Sequence, residues 1–263
     1  MSTKKAVYRE ITIIRDDERE VTEDLIAVEK PVTIYLNGQE LVTLLCTPEK
    51  IDRLALGFLC SEGLLIAADE VDSLRVLDEE GRVEVELKND SGLAGTLFGK
   101  RTITSGCGKG TIFYNVLDSL RSSPITGKMQ VTPRQLLSLV GKLQTRAELF
   151  RTTGGVHSAA LADGKDIIIF FEDIGRHNAI DKIIGEALLT GMPTEDKIFV
   201  SSGRLSSEIL LKAAKMKIQL LLSRAAPTSL CIELAENLNI TLAGFARGKR
   251  VNIYTHRWRV LDS

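Results

Sequence analysis

Long apolar runs are missing from this chain. No stretch of about 18 apolar residues occurs in its 263 residues, so nothing in it reads as a membrane-spanning helix. Residues 1–24 carry alternating charges where a secretory signal needs a basic start and an apolar centre, so the expected location is cytoplasmic. An excess of one charge is missing too. The 34 Lys and Arg against 35 Asp and Glu leave a net charge of −1, which gives no chain-wide case for nucleic acid or an anionic membrane. Any polyanion site must be local. Cysteine is sparse: Cys46, Cys60, Cys107 and Cys231 are widely spaced, with no CxxC and no other metal-ligand spacing. In a reducing compartment they are expected to be free thiols, with no protein-bound metal.

Common chemical signatures are absent as well. There is no GxxxxGK[ST], no GxGxxG opening a helix, no HExxH and no GxSxG. The His-x-Glu and Pro-Cys-x-x-Cys that a zinc deaminase needs are not there either, which excludes that chemistry. Internal repeats and low-complexity tracts are likewise not found.

What is present reads as two units. In the first, Val32–Leu36 and Leu41–Leu45 flank Asn37-Gly38, a favoured two-residue hairpin turn. A helix is predicted from Pro48, capped by Thr47, with Ile51, Leu54, Ala55, Phe58 and Leu59 at helical spacing before Gly63 stops it. A second hairpin pairs Val71–Leu77 with Arg82–Leu87. From Asn89 to Gly110 periodicity vanishes and glycines accumulate, which predicts an active-site loop. A helix then starts near Pro133 with Thr132 as cap, carrying Leu136, Leu137, Val140 and Leu143 on one side, and opens the second unit.

The second unit alternates strand and helix. Strands are predicted at 156–161, 167–171, 198–201, 218–222, 240–244 and 251–254, with helices at 178–189, 206–216 and 228–238. The apolar strands argue for a sheet covered on both faces. The expected division is 1–110, an N-terminal α+β domain ending in the glycine-rich loop, and 111–263, a C-terminal α/β sandwich.

Cys107 is the leading chemical candidate. It sits in Thr104-Ser-Gly-Cys-Gly-Lys-Gly110, with Lys100, Arg101 and Lys109 close in sequence, and nearby positive charge favours the reactive thiolate. Cys46, Cys60 and Cys231 fall on predicted elements amid apolar neighbours and read as core. Phe245-Ala-Arg-Gly-Lys-Arg250 joins two strands with three cations and a glycine, a setting for phosphate, although taken in isolation a solvated hairpin tip is the simpler reading. Glu172-Asp-Ile-Gly-Arg-His-Asn178 joins a strand to a helix, where α/β folds usually bind ligands. There Asn178 also serves as the expected helix cap. Ser202-Gly-Arg-Leu-Ser206 suits an anion at a helix N-terminus. His157 is as consistent with a core histidine as with a catalytic one.

These motifs together resemble the formate dehydrogenase accessory sulfurtransferases, the FdhD-type proteins. The resemblance runs through Glu29–Gly38, Leu54–Gly63, Thr104–Gly108, Thr153–His157, Glu172–Lys182, Ser202–Arg204, Ala226–Ser229, Gly244–Arg250 and Tyr254–His256. It implies that a cysteine desulfurase loads sulfur onto Cys107 as a persulfide. It also implies that this sulfur passes to the molybdenum cofactor, Mo-bis(molybdopterin guanine dinucleotide), before insertion into formate dehydrogenase. The family's cofactor-binding stretch falls on Phe245, Ala246, Arg247, Gly248, Lys249 and Arg250, with Asp173, Arg176 and His177 expected to line the remaining pocket. Its C-terminal α/β/α sandwich resembles the cytidine deaminase fold without zinc, and its members are commonly homodimers.

This chain departs from the family pattern at one position. Many members carry CxxC in the loop, whereas Gly110 stands where the second cysteine would be, so a two-cysteine relay is excluded here. Two other classes fit parts of the pattern: a chaperone that binds the cofactor without covalent chemistry, and a hydrolase pairing Cys107 with His157.

Overall fold

The computed structural model describes residues 4–88, 102–103 and 124–262. The expected loop from Asn89 to Gly110, with Cys107, Lys109 and Gly110, lies outside the described residues apart from Thr102–Ile103, and so does the expected boundary at 110/111.

The fold is mixed α/β, with three sheets among the described residues. A ribbon of β1 (Ala6–Arg15) and β2 (Glu18–Ala27) stands as a two-stranded sheet by itself. A five-stranded sheet combines β3 (Lys30–Leu36), β4 (Gln39–Cys46), β5 (Val71–Leu77), β6 (Arg82–Leu87) and β7 (Thr102–Ile103) in the order β5-β6-β3-β4-β7. Asn37 and Gly38 make the β3–β4 turn with φ of 49° and 75°, the left-handed pair that such a turn requires. Helix α1 (Ile51–Glu62) covers this sheet, and Val32, Ile34, Leu54, Leu59, Val83 and Val85 form its core.

The larger sheet holds β8 (His157–Ala162), β9 (Ile167–Asp173), β10 (Ile198–Ser201), β11 (Leu220–Ser223), β12 (Thr241–Arg247) and β13 (Arg250–Ile253), in the order β13-β12-β11-β10-β8-β9. On one face lies α2 (Pro133–Arg146), followed by the short α3 (Glu148–Thr153). Three helices, α4 (Arg176–Thr190), α5 (Ser207–Lys215) and α6 (Ser229–Leu238), build the apolar layer on the other. This is the expected α/β/α sandwich with a smaller α+β unit attached.

Thr132 caps α2 through a complete capping box with Gln135, as its sequence predicts. Leu139 is buried on α2 beside Leu136, Val140 and Leu143, in the place the sequence pattern gives to Leu137, which is only partly buried. Two other predicted caps are corrected. Helix α1 begins at Ile51 behind Lys50, not at Pro48, and α4 begins behind Gly175 with no side-chain cap. Thr47 and Asn178 spend their hydrogen bonds across the contact between the two units instead.

That contact is close because both facing helices carry glycine. A Cβ at Gly57 would sit 1.7 Å from the Asp181 carbonyl oxygen, and one at Gly185 2.0 Å from that of Arg53, so α1 and α4 touch backbone to backbone. Buried polar groups flank the crossing. Ser61 Oγ donates to Asp181 at 2.6 Å, and Lys212 Nζ reaches both Asp181 oxygens at 2.6 and 2.7 Å. The partly buried Arg53 pairs with Glu186 at 2.9 Å.

Candidate functional site

Strand direction brings the singled-out loops to one edge of the large sheet. Strands β10, β11 and β12 run parallel, so their carboxyl ends lie together; β8 is antiparallel to β10, and β9 and β13 are antiparallel to β8 and β12. The edge therefore carries His157 at the start of β8, the turn after Asp173, Ser202-Gly203-Arg204, Arg224–Pro227 and the Phe245–Arg250 connection. The N-termini of α4, α5 and α6 open at the same edge, with Ser206 and Thr228 capping the last two. Backbone N–H groups and basic side chains thus converge where α/β sheets usually take ligands, an arrangement that suits an anion.

The connection between β12 and β13 is a tight turn. Gly248 takes φ 59°, and Arg247, Gly248, Lys249 and Arg250 are exposed. The two guanidinium carbons lie 5.3 and 5.9 Å from the centroid of the Phe245 ring, so one ring supports both arginines. Arg250 is further oriented by Nε donating to Asn252 at 2.9 Å. Ala246 turns its methyl into the core on the α2 side, leaving its backbone alone at the turn. At Gly244 an added Cβ would meet Ala225 O at 2.9 Å and the Tyr254 ring at 3.0 Å. Only glycine lets the Arg224–Pro227 loop close over β12 there.

Asp173, expected to line the pocket, is fully buried and does different work. Its Oδ1 accepts from Gly175 N and Asn178 Nδ2, both at 2.9 Å; its Oδ2 accepts from Thr47 N at 3.1 Å and pairs with the equally buried Lys182 at 2.6 Å. Lys182 also donates to Thr47 O at 3.0 Å, Asn178 to Leu45 O at 2.8 Å, and Ile174 N to Thr47 Oγ1 at 3.1 Å. Asp173 is therefore the node that fixes the Ile174–His177 turn to the end of β4.

The neighbouring groups form a basic cluster. His177 Nε2 pairs with Glu208 at 3.0 Å, and this contact holds the Glu208 carboxyl below its ordinary range. His157 Nδ1 lies 3.3 Å from Ser202 Oγ, which also accepts from Ser158 N at 3.0 Å. Burial, and then the neighbouring Arg176, His177 and Arg204, push the His157 imidazole below its ordinary value. On the α2 side, Ser158, Ser202, Arg224, Phe150 and Arg151 line a cleft of about 110 Å³. Sequence reasoning missed Arg224 and Arg151. The signal for Arg224 was its place in a strand-to-helix loop of the same kind as 202–206; Arg151 had none, since α3 was not predicted.

The three described cysteines are poor nucleophiles. Burial pushes the Cys46 and Cys231 thiols up to about 12 and also raises Cys60. Among the described residues no group of three or more His, Cys, Asp or Glu is arranged to hold a metal ion, and no helix is long and apolar enough to cross a membrane.

Known proteins resemble this chain over its full extent. The profile of the family described as FdhD/NarQ matches residues 27–261. A Bacillus subtilis protein named "Sulfur carrier protein FdhD" is 42% identical over 262 residues, covering 100% of both chains. A protein of the same name from Staphylococcus aureus is 41% identical over 242 residues, covering 92% of this chain and 91% of its own. In fold, the chain is similar to the "crystal structure of a putative formate dehydrogenase accessory protein from Desulfotalea psychrophila". The TM-score is 0.80 at 24% identity, covering 98% of this chain and 100% of that one.

Proposed function

The chain belongs to the FdhD/NarQ family, and from that premise we propose that it is a sulfur carrier that activates a molybdenum-dependent formate dehydrogenase. Its substrate is the guanine-dinucleotide form of the molybdenum cofactor, and its sulfur comes from a cysteine desulfurase. The protein works in the cytoplasm as a homodimer. The observation that carries this reading is the convergence of helix N-termini, Arg176, Arg204, Arg224 and the Phe245–Arg250 turn at one sheet edge, a surface built for a multiply charged phosphate ligand.

Cys107 is the working sulfur. Its thiolate attacks the outer sulfur of the donor persulfide; the donor S–S bond breaks, the donor leaves as a thiolate, and Cys107 keeps the extra sulfur. The outer sulfur then passes to the bound cofactor, which supplies the electron pair, and Cys107 returns as thiolate. The other three thiols support the assignment, because burial holds them protonated. Lys100, Arg101 and Lys109 favour the thiolate, while Arg247, Lys249 and Arg250 hold phosphates beside the Phe245 wall. Arg176 and His177 line the rest, and Asp173 positions them.

Loading with labelled sulfur tests the reading directly. After incubation with a cysteine desulfurase and labelled cysteine, label is expected on the peptide containing Cys107 alone. Label on Cys46, Cys60 or Cys231 would assign the chemistry to another sulfur, and a protein that binds cofactor yet never gains sulfur would be a chaperone.

The phosphate site has its own test. GDP, a partial mimic of the cofactor, is expected to bind, and Arg247→Ala with Arg250→Ala should weaken it, because each arginine contributes a charge-assisted contact of about 1.5–3 kcal/mol. Calorimetry on the double variant should read a loss of roughly a hundredfold or more. Equal affinity in both proteins would move the site off this turn.

A further inference from the structure

The β1–β2 ribbon is out of keeping with the rest of the molecule. Among the described residues it pairs with no other strand, and none of its side chains enters the three apolar clusters. Two-stranded ribbons are at best marginal in water, and stability comes with a third strand or a covering layer. This one also exposes apolar groups along its length: Tyr8 is 65% exposed, Ile14 61% and Val21 64%. Its strands contain neither proline nor lysine, two devices that keep an open sheet edge from pairing. Among the described residues no strand pairs with the outer edge of β1, which is ten residues long.

Of the antiparallel registers that pair seven or more residues of β1 with its own copy, one sets no like charges opposite each other. A two-fold axis normal to the ribbon pairs residues of the same face, so the possible centres are individual residues. Centred on Ile11, two antiparallel β1 strands place Tyr8 opposite Ile14, Arg9 opposite Ile13, Glu10 opposite Thr12 and Val7 opposite Arg15, with Ile11 facing its own copy. No like charges meet, and the two most exposed apolar side chains of the strand cover each other. A shift of the centre to Glu10 sets Glu10 against Glu10, and a shift to Thr12 sets Arg9 against Arg15, each a repulsive pair.

We infer that the outer edge of β1 is where a second copy of this chain docks, antiparallel and centred on Ile11, to make a four-stranded sheet β2-β1-β1-β2 across the two-fold axis. A different protein pairing here has no reason to match this charge pattern, whereas a second copy matches it automatically. The inference specifies the surface of the homodimer proposed above and rests on that reading.

Light scattering and sedimentation on the full chain test it. The wild-type protein is expected to be a dimer at micromolar concentration, and Ile11→Lys, which sets two ammonium groups on the axis, a monomer. Because Ile11 belongs to none of the apolar clusters, the variant should keep the wild-type circular dichroism spectrum and unfold cooperatively. In a Cys107→Ser background, Ile11→Cys should cross-link two chains under mild oxidation, since residues facing their own copy have Cα atoms close enough for a disulfide. Ile13→Cys, opposite Arg9, should not. A wild-type monomer overturns both the homodimer and this surface. A dimer that survives Ile11→Lys, or an Ile13→Cys variant that cross-links as readily as Ile11→Cys, overturns the surface and leaves the homodimer standing.

Discussion

Cells whose only copy carries Cys107→Ser should have no more formate dehydrogenase activity than cells lacking the protein, while the purified variant folds and binds GDP as the wild type does. The reason is chemical. A serine alcohol does not ionise at neutral pH and cannot accept a sulfur atom as a persulfide, so the carrier step stops rather than slows. The fold should be indifferent, because serine matches cysteine closely in size and shape and the glycine-rich stretch around residue 107 carries few apolar side chains to bury. Unchanged GDP binding separates loss of chemistry from loss of the site. Single replacements of Cys46, Cys60 or Cys231 by Ala should retain activity, since burial already holds those thiols protonated. Normal maturation of formate dehydrogenase by Cys107→Ser would falsify the persulfide step and leave a non-covalent chaperone. With Gly110 in place of a second loop cysteine, the loaded sulfur has no resolving thiol, so reductant should strip it faster than from Gly110→Cys.

Elements whose causes are local were legible in the sequence. The Asn37-Gly38 turn, the Thr132 cap and the apolar β10 and β11 each depend on neighbouring residues, and each stands where the pattern put it. Elements with distant causes were not. Helix α3 has its first free N–H groups satisfied by Glu172, which accepts from Leu149 N and Phe150 N at 2.9 Å from more than twenty residues away. The ribbon escaped because most of β1 and β2 lies in the open, so they lack the alternation that marks a half-buried strand. Thr47 and Asn178 look like caps by residue type, yet both are drawn into the Asp173 network by a unit of chain that sequence proximity cannot reveal. At the site the loops were readable as strand-to-helix connections rich in glycine and charge. Which member faces ligand and which holds the frame depended on burial: Asp173 and Arg247 are equally charged on paper, one fully buried and one exposed.

That distinction sets the second large effect. Lys182→Met should destabilise the protein by about 3–5 kcal/mol, the usual cost of removing one partner from a buried ion pair. Methionine fills the space of the lysine stem, but it leaves the Asp173 carboxylate buried with no counter-charge and removes the donor to Thr47 O. The loss should exceed that of Arg247→Ala, an exposed residue whose removal leaves no buried group unpaired. Urea unfolding of the two variants side by side measures the difference. Lys182→Met together with Asp173→Asn should regain part of the stability, because the amide no longer carries a stranded charge and can still accept from Gly175 N or Thr47 N. A Lys182→Met protein as stable as the wild type would mean that Asp173 is held by its hydrogen bonds alone and that the ion pair contributes nothing. Recovery in the double variant with GDP binding still weak would instead show the pair setting the position of the Ile174–His177 turn, since stability and site geometry would then have come apart.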